Sequence, residues 1–132
     1  HDHHLPDLVR DAAVRATTAV GLAGIAVIHV LDAVGKWSET RYMFWMYIGL
    51  IVSAIALAGG ALFSTSRRVM LAAAGLAATV FAGFVIDRTV GMPNATGDIG
   101  NWTEPLGLAS LVVEGMVVAV GLGGYLARSP RA

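Results

Sequence analysis

Four ionisable side chains stand within or at the edge of long apolar runs, and with these the chain could do chemistry: His29, Asp32, Asp87 and Glu114. An ionisable group inside a membrane crossing costs ~2.5–3.5 kcal/mol on insertion scales, so each one is a functional-site hypothesis by default. Glu114 is the sharpest instance, set among Val112, Val113, Gly115 and Met116. Counted from Leu106 it lies ~12 Å inside its run at 1.5 Å per residue, while His29 lies ~9 Å and Asp32 ~4.5 Å from the matching end of theirs. Asp87 stands at that same end of a third run. Carboxylates and an imidazole from three helices are therefore expected at similar depth.

Three chemistries fit this set. A desolvated Glu114 sharing a proton with His29 is what a proton-coupled carrier needs. His29 and Asp32, one turn apart, could join Glu114 or Asp87 as nitrogen and oxygen ligands to a divalent metal such as Zn²⁺ or Cu²⁺. The plainest reading is interhelical hydrogen bonding that fixes packing, with Asp87 held by Arg88 or by a loop amide. Met43, Met46, Met92 and Met116 fall toward the same end, and thioethers suit Cu(I), although methionines in apolar helices ordinarily serve packing. A single His within the crossings leaves one protomer without bis-His haem ligation.

The elements that must position these groups are read from composition. Of 132 residues, 56% are hydrophobic and 14% charged, and the mean hydropathy is +0.69, which is too apolar for a soluble domain of this length. The apolar residues come in blocks of about 20, the length that crosses ~30 Å of hydrocarbon. The expected fold is all-α, an integral membrane four-helix bundle with helices at about 16–35, 42–63, 69–86 and 106–127. Residues 1–15 form an N-terminal tail and interfacial segment, and 128–132 a C-terminal tail. In the lead-in from Leu5 to Arg15, the apolar Leu8, Val9, Ala12 and Ala13 alternate at helical spacing with Asp7, Arg10, Asp11 and Arg15, as in a helix lying in the interface.

Charge sets the orientation. With four crossings, Arg10, Arg15, Arg67, Arg68, Arg128 and Arg131 fall on one side and Lys36, Arg41 and Arg88 on the other. The bias predicts both termini in the cytoplasm. The opposite, outer side carries Asp32, Glu39, Asp87, Asp98 and Glu104, with Trp37, Trp45 and Trp102 as an aromatic belt. Formal net charge is zero, so nothing points to nucleic acid. The absence of cysteine removes disulfides, thiolate metal sites and Cys nucleophiles. Eight Arg against one Lys, with abundant Ala, Gly and Val, points to a bacterial cytoplasmic membrane.

Helices in lipid meet through small residues and interhelical hydrogen bonds. The expected faces are Thr18, Gly21, His29, Asp32 and Lys36 on helix 1; Gly49, Ser53, Ala56 and Gly60 on helix 2; Thr79, Gly83 and Asp87 on helix 3; and Gly107, Ser110, Glu114 and Gly121 on helix 4. The longest loop, Gly91 to Pro105, is rich in turn residues and offers Asp98, Asn101, Trp102 and Glu104 as further binding candidates. Ser38 is expected to cap helix 2. Asn101, three residues before Glu104, forms a capping-box-like start to helix 4 with Pro105 in its first turn. The chain opens on His1-Asp2-His3-His4 rather than Met, so its original start is expected to be missing; were His1 a free N-terminus, its amine and His3 could bind Cu²⁺.

No phosphate-binding glycine loop, HExxH or Gly-x-Ser-x-Gly elbow is present, and an enzyme would need a cofactor that the sequence does not advertise. The expected role is a non-catalytic subunit or assembly partner of a larger membrane complex, in contact with the lipid bilayer and with a protein partner or further copies of itself. The alternative is a homo-oligomeric proton-coupled transporter, or a divalent-metal or copper-binding membrane protein, using Glu114 and His29.

Overall fold

The computed structural model describes residues 4–64 and 66–128. Four helices follow one another: α1 (His4–Glu39), α2 (Arg41–Phe63), α3 (Arg67–Thr89) and α4 (Pro105–Ala127). All four are long and apolar enough to cross a membrane, and the described residues contain no strand. The amphipathic lead-in is continuous with the first crossing, because nothing between Ala12 and Thr18 breaks a helix. At 36 residues, α1 is ~54 Å long and outruns the ~30 Å hydrocarbon core, which leaves its first turns for the interface.

Burial is inverted relative to a water-soluble bundle. Small residues fill the interior, among them Ala19, Ala26, Ala54, Ala61, Ala73, Ala74 and Ala77, while Val20, Val27, Val34, Ile55, Phe63, Val112 and Leu126 point outward. Such a surface is unfavourable in water and suits an acyl-chain environment. Close approach of backbones is what the small residues permit. A Cβ on Gly21 would come within 2.4 Å of Val117 Cγ2, and one on Gly121 within 3.1 Å of the Met70 carbonyl oxygen. Leu22, Ile25, Ile51 and Val117 fill the centre between these contacts.

The helices form a ring in the order α2, α1, α4, α3. Neighbours pack closely at every side except α2–α3, which meet sparsely. That contact lies where α2 ends and α3 begins, with Ala61 and Met70 buried together with Ala19. Toward the other end α2 and α3 diverge.

Each end is tied by charge. At the arginine-rich end, Arg128 bonds Asp11 at 2.8 Å and the Ser66 carbonyl at 3.0 Å. Arg15 donates to the last carbonyls of α2, Ala61 at 3.1 Å and Leu62, where the helix dipole favours a cation. At the acidic end, Arg41 lies 3.8 Å over Trp37, which packs edge-on against Phe44 and Trp45.

Two capping expectations are corrected. Ser38 bonds back to the Gly35 carbonyl, and Thr40 is the N-cap of α2 without a side-chain bond. Helix α4 is capped by Glu104 itself, whose carboxylate accepts from the Leu106 and Gly107 amides at 3.1 and 2.6 Å with Pro105 next in line. A carboxylate at a helix start gains from both the orphan amides and the dipole, so it displaces Asn101 from that role.

Candidate functional site

The divergence of α2 and α3 opens a cavity of about 370 Å³ at the acidic end of the bundle. All four helices reach it: His29 and Asp32 from α1, Met43, Met46, Tyr47, Gly49 and Ser53 from α2, Thr79, Gly83, Phe84, Asp87 and Arg88 from α3, and Glu104, Gly107 and Ser110 around the start of α4. Met46, Gly49, Ser53 and Thr79 are exposed on the outer surface. The cavity is therefore a cleft that opens sideways, between two helices, toward lipid.

Its polar wall is built from α1 and α2. His29 is 7% exposed; its Nδ1 donates to the Ile25 carbonyl at 2.7 Å, so that in the neutral ring Nε2 is the acceptor. Its ring meets Tyr47 edge to face, centroids 5.0 Å apart, and the Tyr47 hydroxyl donates to Asp32 Oδ2 at 2.9 Å. The i, i+3 spacing of His29 and Asp32 thus aims both at the same α2 aromatic. Tyr47 was not among the residues singled out from sequence, since nothing local to α2 marks it.

Arg88 and the 91–104 loop close the acidic end. Buried Arg88 pairs with buried Asp87, lies 3.4 Å from Asp98, and donates to the Asn101 carbonyl at 2.7 Å. Lys36, also buried, reaches Asp98 at 3.9 Å and Glu39 at 3.5 Å. The loop's course is set by left-handed backbone at Gly91 (φ 83°), Asn94 (φ 55°) and Gly100 (φ 79°), conformations that glycine and asparagine tolerate. The Tyr42 hydroxyl bonds the Pro93 carbonyl, and the Gly100 amide bonds the Arg88 carbonyl at 2.7 Å. Each loop candidate accordingly has a local task. Asp98 neutralises Lys36 and Arg88, Asn101 bonds Arg88 and faces Asp98 at 3.4 Å, Trp102 stacks edge-on against Phe84 at 5.8 Å, and Glu104 caps α4.

Three of the four intramembrane candidates, His29, Asp32 and Asp87, line this one cleft. Glu114 does not. It is fully buried (0% exposed) one turn below Ser110, whose hydroxyl donates to Glu114 Oε2, while Oε1 has no hydrogen-bond partner. Ser110 faces the cleft and so connects it to Glu114. Among the described residues no three His, Asp or Glu side chains are arranged to hold a metal ion. The set His29, Asp32 and Glu114 is not gathered as ligands, because Glu114 sits behind Ser110, outside the cleft that His29 and Asp32 line. Met43, Met46 and Met92 line the cleft, whereas Met116 lies against the Gly21 crossing. His1 and His3 lie outside the described residues.

The expected small-residue faces hold on α1 and α4 and fail on α2. Thr18, Gly21, His29 and Lys36, and Gly107, Ser110, Glu114 and Gly121, are all buried, with Asp32 half-buried. On α2 the buried residues are Met43, Ile51, Ala54 and Ala61, while Gly49, Ser53 and Ala56 are exposed and Gly60 is half-buried. On α3, Asp87 is buried, Gly83 half-buried and Thr79 exposed. Gly49, Ser53, Thr79 and Gly83 instead line the cleft. No protein-family model, curated protein or solved structure matches the chain.

Proposed function

We propose that this small membrane protein binds a ligand, taking an amphipathic molecule sideways from the bilayer into the cleft between α2 and α3. The cavity at the acidic end carries the reading. A polar cluster acting only as interhelical glue would be close-packed, because unfilled space forfeits contacts on every wall. Ligand pockets instead begin at ~300 Å³ and pair apolar walls with a few convergent polar groups. Here Leu50, Leu76, Val80 and Leu106 supply the walls and His29, Asp32 and Tyr47 the polar groups. Glu114, one hydrogen bond from the cleft through Ser110, is the group a proton-coupled carrier would use, which extends the same reading to transport.

A second reading is the non-catalytic subunit or assembly partner, with the α2–α3 seam receiving a helix from a larger complex or from another copy. The exposure of Gly49, Ser53, Gly75 and Thr79 supports it, since small hydrogen-bonding residues mark helix-docking faces in membranes. In either case the orientation we propose has the arginine-rich end in the cytoplasm, in a bacterial cytoplasmic membrane as the composition indicates.

Native mass spectrometry of the protein extracted in lipid discs tests the two readings. Ligand binding predicts a bound amphiphile, one per chain, that disappears in Gly83→Leu while the helices persist. A wild-type protein that carries no such molecule and co-purifies with a larger assembly, lost on Ser53→Phe, would establish the subunit reading instead.

A further inference from the structure

We infer that the cleft selects a protonated amine on a lipophilic body, with the ammonium group seated between Asp32 and His29. This rests on the cleft being a ligand site and adds its chemical class. The inference follows from which polar groups around the cavity are already satisfied. Thr79 donates to the Gly75 carbonyl at 2.8 Å, Ser110 to Glu114, and Tyr47 to Asp32. The Glu104 carboxylate is taken up by α4 amides. Arg88 is held by Asp87, Asp98 and the Asn101 carbonyl, and its guanidinium lies 4.4 Å over the Phe84 ring.

Three groups lining the cavity remain open: the Ser53 hydroxyl, exposed at the rim, and at the polar wall two acceptors. Asp32 has no cation within ion-pair distance among the described residues, since Lys36, one turn on, is turned to Glu39 and Asp98. Only one of its oxygens is engaged, by Tyr47. His29 is more than nine-tenths buried, and its Nε2 lone pair has no hydrogen-bond partner among the described residues.

An acidic or carbonyl-bearing headgroup would set acceptor against acceptor here. An ammonium group carries several N–H donors and a compensating charge, and a charge-assisted bond to a carboxylate is about twice as strong as a neutral one. The cavity's ionisable lining has the matching sign, with Asp32, Asp87 and Glu104 against Arg88 alone. The apolar remainder, from Ile28, Leu50, Leu76, Val80 and Leu106, accommodates the hydrocarbon body. The sideways opening gives such a molecule a route from the membrane.

The test uses the full chain in phosphatidylcholine nanodiscs and reads energy transfer from its tryptophans to pyrenylmethylamine, with pyrenylmethanol as the uncharged counterpart. Saturable binding of the amine is expected, with Asp32→Asn weakening it about tenfold or more. Asp32→Glu, which keeps the carboxylate, retains it. Equal affinity for amine and alcohol, unchanged by Asp32→Asn, would overturn the amine assignment while leaving a ligand site. Transfer that is never saturable, or that Gly83→Leu leaves untouched, would overturn the site itself. Circular dichroism of each variant separates loss of binding from loss of fold.

Discussion

Two glycines one helix apart should respond to the same substitution in opposite directions. Replacing glycine by alanine in a helix interior gains about 0.5–1 kcal/mol from backbone entropy. At Gly83 an added Cβ meets nothing within 4 Å, so Gly83→Ala keeps the whole gain. At Gly121 the same Cβ lies 3.1 Å from the Met70 carbonyl oxygen and 3.3 Å from the Ala74 amide nitrogen. These are backbone atoms of α3, which can yield only if α3 and α4 move apart. Overpacking of this kind costs about 1–3 kcal/mol, and with the entropic gain subtracted Gly121→Ala is destabilised by about 1 kcal/mol, some 2 kcal/mol below Gly83→Ala. Unfolding in mixed micelles titrated with dodecyl sulfate and followed by tryptophan emission reads the difference. Equal shifts for the two variants, or a gain at Gly121, would refute the assignment of α3–α4 as the tight seam and α2–α3 as the open one.

Other outcomes follow from the loop and the ends. Asp98→Asn removes the charge shared by Lys36 and Arg88; because Asp98 is a third exposed, the loss is about 1 kcal/mol, read as roughly fivefold faster hydrogen exchange at the Gly100 amide. Glu104→Ala strips the cap from α4 and destabilises the protein by about 1 kcal/mol, measurable in the same micelle titration; no change would show that the two amides find another acceptor. The chain has no cysteine, so single cysteines report topology directly: in intact cells an impermeant maleimide should label Thr96→Cys and spare Asp7→Cys, and the reverse pattern would invert the proposed orientation.

The four crossings were legible because lipid thickness demands apolar blocks of one length, and no soluble pattern imitates that. The inward faces of α1 and α4 were legible for a different reason. His29, Lys36 and Glu114 are costly in lipid, so they mark the interior. Helix α2 has no such marker in its middle, and the lipid outside is as apolar as the core inside; Gly49 and Ser53 therefore looked like packing residues when they are the rim of a cleft. The pairing of Asp32 with Tyr47 was not legible, since it depends on how far α1 and α2 are rotated about their axes. The same holds for Asp98, whose cations come from separate helices. The burial of Glu114 was legible for the same reason of cost, but its separation from the cleft by Ser110 depends on how α4 is rotated against the other helices.

Helix α2 is fastened along one flank only. It packs on α1, is joined to α3 through residues 64–66, and at its far end is held to the 91–104 loop by Tyr42. Like a leaf on a spine, it could tilt about α1 and change the gap beside α3 without touching the α1–α4 and α3–α4 contacts. For the proposed ligand, the element that would have to lean is this one helix.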